Sequence, residues 1–295
     1  MNEKQYRKRV EAEVARSVRG ANRKRQTART ARAGKLSAAA RIAEIDAMQI
    51  DAKDGKSIAR LIKTLEDTAE PKELRLAAFR ALKTASFLGP AFAPYRAAYL
   101  KALRAIATDH EPEIREEALE TLVLEKIDFA RRLLSEGLKK PEKALVTAAK
   151  AIQLLSYDGH AEVAPLVRET FAKATDLSAK EAALRFLAAD PASAPLLSRV
   201  LKDRSQPARL RSLSATGLRL ANPRSFERTA RAIVENGKED DDVRATCLGA
   251  LTLIKDFRKT RDDPSFAKVV ASLKAPKHSR ALRASARRFM SQLGK

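Results

Sequence analysis

The sequence is poor in residues that support disulfides, tight turns and aromatic cores. Its 295 residues include one cysteine (Cys247), no tryptophan, 10 glycines and only 5% aromatic residues. A single cysteine excludes a disulfide within the chain, which fits a reducing compartment. No run approaches the ~18 apolar residues of a membrane span, and residues 1–5 lack the apolar stretch of a secretory signal. We therefore expect a cytoplasmic protein with no membrane partner.

The residues that are abundant favour helices. The chain is 44% hydrophobic and 33% charged, and it is dominated by Ala, Leu, Arg, Lys and Glu. These are strong helix formers. Val, Ile and Thr do not cluster with alternating polarity, which is the pattern typical of strands. The composition predicts an ordered, all-α protein.

The net charge of +22 is concentrated at the two ends of the chain. Residues 1–41 hold 13 basic and three acidic residues, and residues 255–295 hold 12 basic and three acidic residues. The middle of the chain is almost balanced. A surface this basic commonly binds nucleic acid, acidic proteins or anionic lipid, so the two ends are the first candidates for polyanion contact.

Residues 1–50 are predicted to form a basic N-terminal arm, and residues 51–295 a separate domain. An apolar position recurs every four residues from Tyr6 to Val18, which predicts a helix. A second helix is expected over 36–50. Between them lies a cationic cluster that suits phosphate binding: Arg23, Lys24, Arg25, Arg29, Arg32 and Lys35. The sequence supports equally well a solvated charged tail that adds solubility. A third interpretation is an amphipathic membrane-surface helix over 3–19.

From about residue 54 the chain repeats a short unit, an apolar residue followed by a basic one and, three positions later, a small one. Its second positions are Arg75, Arg115, Val146, Lys180, Arg211, Arg244 and Arg283, with spacings of 40, 31, 34, 31, 33 and 39 residues. An irregular period in the thirties predicts a solenoid of about seven helix pairs. Pro71, Pro112, Pro141 and Pro207 precede the predicted second helices. Pro94, Pro165 and Pro195 are expected to bend the first helices.

The stretch from Asp109 to Arg115 resembles the turn of the HEAT repeat. It keeps an Asp six residues before an Arg that opens the second helix. Two other copies depart from that pattern: Val146 replaces the Arg, and Asp203 lies eight residues before Arg211. The resemblance implies a right-handed α-α superhelix. It also implies that the basic positions form a structural ladder that binds turn carboxylates: Arg75, Arg115, Lys180, Arg211, Arg244 and Arg283. The competing interpretation of the ladder is a nucleic-acid track.

A C-terminal helix is predicted over about 278–293. It carries Arg280, Arg287 and Arg288 besides the ladder position Arg283. A final repeat needs a polar outer face, which is one explanation of these cations. The alternative is that they contact a polyanionic partner.

Catalytic chemistry has little support in the sequence. His110, His160 and His278 are isolated, no cluster has metal-ligand spacing, and no glycine-rich phosphate loop is present. We expect no catalytic residue, metal, cofactor or small-molecule substrate. Some HEAT-like proteins are glycosylases for alkylated DNA bases that use Trp and Asp, and the lack of Trp here disfavours that activity.

Three functions follow in order of preference. The first is a non-enzymatic interaction scaffold that binds a protein partner and engages an acidic partner through its basic ends. The second is direct DNA or RNA binding through the arm and the C-terminal helix. The third is a glycosylase-like repair enzyme.

Overall fold

The computed structural model describes residues 37–48, 55–157, 162–254, 260 and 263–292, and every regular element in these ranges is a helix. The α-helices of the described residues are α1 Ala38–Asp46, α2 Gly55–Glu66, α3 Lys72–Ser86, α4 Ala93–Ile106, α5 Pro112–Leu124, α6 Asp128–Lys139, α7 Ala148–Leu155, α8 Ala164–Lys173, α9 Leu177–Leu187, α10 Ala194–Lys202, α11 Ala208–Ala221, α12 Pro223–Glu235, α13 Asp241–Leu251, α14 Pro264–Ser272 and α15 Arg280–Met290. Single 3-10 turns lie at Gly89–Ala91, Pro141–Lys143 and Pro191–Ser193. The predicted all-α class is confirmed.

From α2 onward the described helices form seven consecutive pairs, and in each pair the second helix packs against the first. Most of the connections are short, as is usual between neighbouring antiparallel helices. The predicted number of helix pairs is therefore correct. The hand of a superhelix stays a prediction.

The chain divides into two compact units, residues 1–125 and 126–295. In the first unit, α2 packs against α3 and α4, α4 packs against α5, and α1 packs against α3. Ile58, Leu61 and Leu65 recur at helical spacing on α2 and are fully buried. This apolar face is the reason the helix forms a pair rather than standing alone.

In the second unit the second helices of the pairs form a continuous layer. α7, α9, α11, α13 and α15 contact one another in that order, and the first helices make fewer contacts along their own layer. Phe226, Phe266 and Phe289 are completely buried in the core between the layers. Each pair thus buries its apolar stripe against the neighbouring pair, which is how repeat proteins gain stability.

The prolines lie mostly where a helix begins. Pro71 and Pro207 immediately precede α3 and α11, and Pro112 is the first residue of α5. Pro141 instead opens a 3-10 turn, and α7 begins only at Ala148.

The expected bends at the remaining prolines are wrong. Pro94, Pro165 and Pro195 are each the second residue of their helices, α4, α8 and α10. A first-turn proline has no intrahelical hydrogen bond to lose, so it starts the helix without bending it.

The predicted boundary at residue 50 falls within residues 49–54, which lie outside the described ranges, and it stays a prediction. The helix expected over 36–50 runs from Ala38 to Asp46, with the Ser37 hydroxyl accepting a hydrogen bond from the Ala40 amide. The helix expected from Tyr6 to Val18 also lies outside the described residues.

Candidate nucleic-acid interface

Three ladder arginines are buried within the helix pairs. Arg75, Arg211 and Arg244 have 1%, 3% and 3% of their surface exposed. Each is the fourth residue of a second helix, and its Nε donates to a carbonyl ten residues earlier, at the end of the first helix of the same pair. The Nε to oxygen distances are 2.9, 2.9 and 3.2 Å. Each arginine therefore bonds a carbonyl that the end of a helix leaves unpaired.

The guanidinium groups also meet carboxylates, two of which belong to the following pair. Arg75 binds Asp109 in the turn before α5, and Arg211 binds Glu239 before α13 at 2.7 Å. Arg244 binds Asp241 of its own helix at 3.3 Å. These side chains are occupied inside the structure, so they cannot also reach phosphates in solvent.

The pKa of Asp109 is lowered although burial opposes that shift. Burial raises the pKa of the carboxyl, but the hydrogen bond from Arg75, the hydrogen bond from the Glu111 amide and the charge of Arg75 together outweigh it. Asp109 is thus ionised and paired in the folded protein.

The other ladder positions are half-buried and less regular. Arg115 donates to the carbonyl of Asp109 at 2.7 Å. The Nε atoms of Arg115 and Arg283 are buried, and neither has a hydrogen-bond partner among the described residues. Lys180 is also half-buried.

The basic surface of the last described pair is built on helix α15. The Ser279 hydroxyl caps the helix by accepting from the Leu282 amide at 3.2 Å. Leu282, Ala286 and Phe289 are buried at helical spacing, and the Phe289 ring meets Phe266 of α14 edge-on at 5.5 Å between centroids. This packing fixes the helix face that remains in solvent.

Arginines occupy that solvent face. Arg280, Arg287 and Arg288 are all exposed. Arg280, Arg283 and Arg287 recur at spacings of three and four residues, which places them along one stripe of the helix. The three sequence-predicted residues therefore share one helix.

We define the terminal basic surface as the seven cations of α14, α15 and their connection. Its members are Lys268, Lys274, Lys277, Arg280, Arg283, Arg287 and Arg288. Residues 264–292 contain no Asp or Glu, and no ion pair joins these seven side chains to a carboxylate of the described residues. The lysines were missed by the sequence analysis, although the acid-free run was visible there.

Two carboxylates beside this pair, Asp263 and Asp241, are engaged by other groups. Asp263 binds Arg231 at 2.6 Å and caps α14. Asp241 accepts from the Ser279 amide at 2.7 Å and lies 3.3 Å from Nδ1 of His278. The pKa of Asp263 is lowered, chiefly by the Ser265 hydroxyl and then by Arg231. Neither carboxylate neutralises a member of the terminal basic surface.

The structure does not describe the predicted cations of the arm. Arg23, Lys24, Arg25, Arg29, Arg32 and Lys35 lie outside the described residues, as does His160.

The described residues offer no group of three or more His, Cys, Asp or Glu side chains placed to hold a metal ion. Cys247 is buried in the core, and burial raises the pKa of its thiol to about 12. Within the same ranges, no helix combines the length and apolar character needed to cross a membrane.

Comparisons with known proteins give no family. No family model matches the chain, and no curated protein matches it. Among solved structures, human deoxyhypusine hydroxylase in complex with glycerol matches with 16% identity, 80% of this chain and 95% of that chain covered, and a TM-score of 0.34.

This finding corrects the expectation of a non-enzymatic interaction scaffold. This solved structure is an enzyme by name. A TM-score of 0.34 assigns no activity to this chain.

Proposed function

We propose that the chain binds nucleic acid through the phosphate backbone, with the terminal basic surface as the contact. The observation that carries this proposal is the set of seven cations over residues 264–292, without one acidic residue between them. Cations that are not neutralised within the protein are available to phosphates, and release of condensed counterions then drives binding.

Some basic residues elsewhere in the same unit are, by contrast, paired with carboxylates. Arg131 is paired with Asp128 and Glu162, and Arg209 is paired with Glu181. A paired arginine must give up its carboxylate before it can bind a phosphate, whereas Arg287 and Arg288 pair with no carboxylate of the described residues. This difference favours the α14–α15 pair over the balanced middle of the chain.

The arm adds to the proposal from the sequence alone. Its six predicted cations, from Arg23 to Lys35, would contribute a second group of phosphate contacts. We also infer that the helix pairs are repeats of the HEAT type. The ladder arginines support this, since Arg75 and Arg211 bind carboxylates of the following pair. The cytoplasm remains the expected compartment.

Salt dependence of binding tests the proposal. Fluorescence anisotropy with a short labelled duplex would be followed over a series of salt concentrations in wild type and in a triple variant, Arg280→Gln, Arg287→Gln and Arg288→Gln. Each lost phosphate contact lowers the slope of log affinity against log salt by about 1. The triple variant should therefore bind more weakly and with a visibly shallower slope.

Two matched variants complete the design. Arg104→Gln removes one exposed arginine of α4, and it should leave the slope unchanged. Replacing the six arm cations by Gln in the full chain measures the contribution of the arm separately. If the triple variant keeps the wild-type affinity and slope, the terminal basic surface is not the interface.

A further inference from the structure

A cavity of about 480 Å³ opens in the second unit between α6, α7, α8 and the start of α9. Large aliphatic side chains that are only half-buried line it: Leu133, Leu138, Leu145, Val146 and Leu166. Such side chains are normally covered in a folded protein, because removing apolar surface from water is favourable. An open apolar cavity with a few polar groups at its edge is the usual form of a small-molecule site.

The cavity has a structural cause in the repeat pattern. In three other pairs an arginine at the ladder position lies on the first turn of the second helix and fills the space against the end of the first helix. Here the ladder residue is Val146, and it precedes α7, which begins only at Ala148. Both the long side chain and the helical turn that occupy this place elsewhere are missing.

The segment between α6 and α7 does not fill the space that the ladder arginine occupies in three other pairs. After the 3-10 turn at Pro141–Lys143 the chain passes close to α6 at Gly137, where an added Cβ would lie 3.1 Å from the Ala144 Cα. Gly137 allows this close approach. The segment packs against the end of α6 and leaves the cavity bounded rather than filled.

The lining of the cavity carries two cations and two carboxylates: Lys139, Lys173, Glu169 and Asp176. Lys173 pairs with Glu169 at 2.6 Å, and Lys139 also lies on the rim. The pKa of Glu169 is lowered first by the hydrogen bond from Lys173, with a smaller contribution from the charge of Lys139. Lys139 is exposed and pairs with no carboxylate of the described residues.

The remaining acidic group of the lining is already used. Asp176 caps α9, accepting from the Ala179 amide at 3.0 Å and from the Ser178 hydroxyl. Its charge therefore faces the positive end of a helix. Of the two lysines in the lining, Lys173 is paired with Glu169, and Lys139 has no paired carboxylate among the described residues.

We propose that this cavity binds one free long-chain carboxylic acid, with its aliphatic chain among the leucines and its carboxylate at Lys139. The apolar lining suits the chain, and the unpaired lysine suits the head. The volume lies in the lower half of the 300–1,000 Å³ typical of ligand sites, which fits one chain rather than a two-chain lipid.

Calorimetric titration of the full-length protein with dodecanoate tests this proposal. We expect saturable binding of one dodecanoate molecule per protein chain, at least tenfold tighter than binding of hexanoate. The shorter aliphatic chain of hexanoate would leave part of the apolar lining exposed to water. Lys139→Ala should weaken dodecanoate several-fold, while binding of the uncharged twelve-carbon alcohol should stay unchanged.

A cavity-filling variant provides the second arm. Val146→Trp places an indole inside the cavity and should weaken dodecanoate at least tenfold. Leu220→Trp adds the same group at an exposed position of α11, 56% exposed, and should leave binding at the wild-type level. Thermal melts of both variants establish that they are folded.

Three results would overturn the proposal. The first is the absence of saturable dodecanoate binding to the wild type. The second is equal binding to the Val146→Trp and Leu220→Trp variants. The third is self-association, seen by sedimentation, that Val146→Trp abolishes, because a second copy of the chain would then be what covers the cavity. None of these bears on the nucleic-acid titrations, so the two proposals fail independently.

Discussion

The guanidinium of Arg75 and the carboxylate of Asp109 face each other with 1% and 2% of their side-chain surface exposed. Arg75 lies on α3 and Asp109 lies in the turn before α5, so the pair joins two consecutive helix pairs of the first unit. The Arg75 Nε also donates to the carbonyl of Leu65. One side chain thus connects three segments of the chain.

Asp109→Asn should strongly destabilise the protein. The substitution leaves the guanidinium of Arg75 buried without a compensating charge, which costs about 3–5 kcal/mol in comparable buried pairs. Chemical denaturation followed by circular dichroism measures the free energy of unfolding. Glu125→Gln is the control, because it breaks the more exposed pair with Arg96 and should cost less than about 1 kcal/mol. Equal losses in the two variants would contradict this account.

The same pair predicts a dependence of stability on acid. Since the pKa of Asp109 is lower in the folded protein than in the unfolded chain, its contribution is fully present above the unfolded value of about 3.9. It is lost as pH falls through the folded pKa. Wild type should therefore lose more stability below pH 4 than Asp109→Asn does. Parallel losses in denaturation curves at a series of pH values would rule this out.

Tyr99→Phe should stabilise the first unit or leave it unchanged. The ring of Tyr99 packs edge-on against Phe92 at 5.6 Å between centroids, and its buried hydroxyl has no hydrogen-bond partner among the described residues. Burial also raises the pKa of this hydroxyl. Removing an unsatisfied buried hydroxyl should increase the free energy of unfolding by up to about 1 kcal/mol. Tyr95→Phe, at a half-buried position, is the comparison. If Tyr99→Phe lowered the free energy of unfolding by more than about 1 kcal/mol, the Tyr99 hydroxyl would have a hydrogen-bond partner after all.

Cys247 should be unreactive in the folded protein. Its thiol is buried, with a pKa raised to about 12, chiefly by burial, and the thiolate is the reactive form. At mildly alkaline pH, a colorimetric thiol reagent should label the native protein only as fast as transient unfolding exposes the thiol. Labelling should become fast in denaturant. Rapid labelling under native conditions would place the thiol at the surface.

Much of the architecture could be predicted because it follows from local patterns. The spacing between Arg75 and Arg115 marks a period, and the apolar positions around each ladder residue mark the buried face of a second helix. The carboxylate partners were only partly predictable. Glu239 binds Arg211 in the structure, and no spacing in the sequence pointed to it, because a short motif does not show which pair supplies the partner.

The cavity shows what a motif comparison misses. Val146 was visible as a departure from the ladder, but its consequence depends on where α7 starts and how Ala144 packs on Gly137. These are tertiary contacts, and no spacing of residues in a single sequence indicates them. The terminal basic surface, by contrast, required only the observation that acids are absent from residues 264–292.

The terminal basic surface also limits how copies of this chain can associate. A second copy of the chain could approach the α14–α15 pair with its own α14–α15 pair. Here an approaching like face would bring its own seven cations against the seven cations on α14, α15 and their connection. Such charges repel over a Debye length of about 10 Å at 0.1 M salt. Like charges on the two faces would therefore oppose their direct contact, and a polyanion that neutralises them would weaken this repulsion.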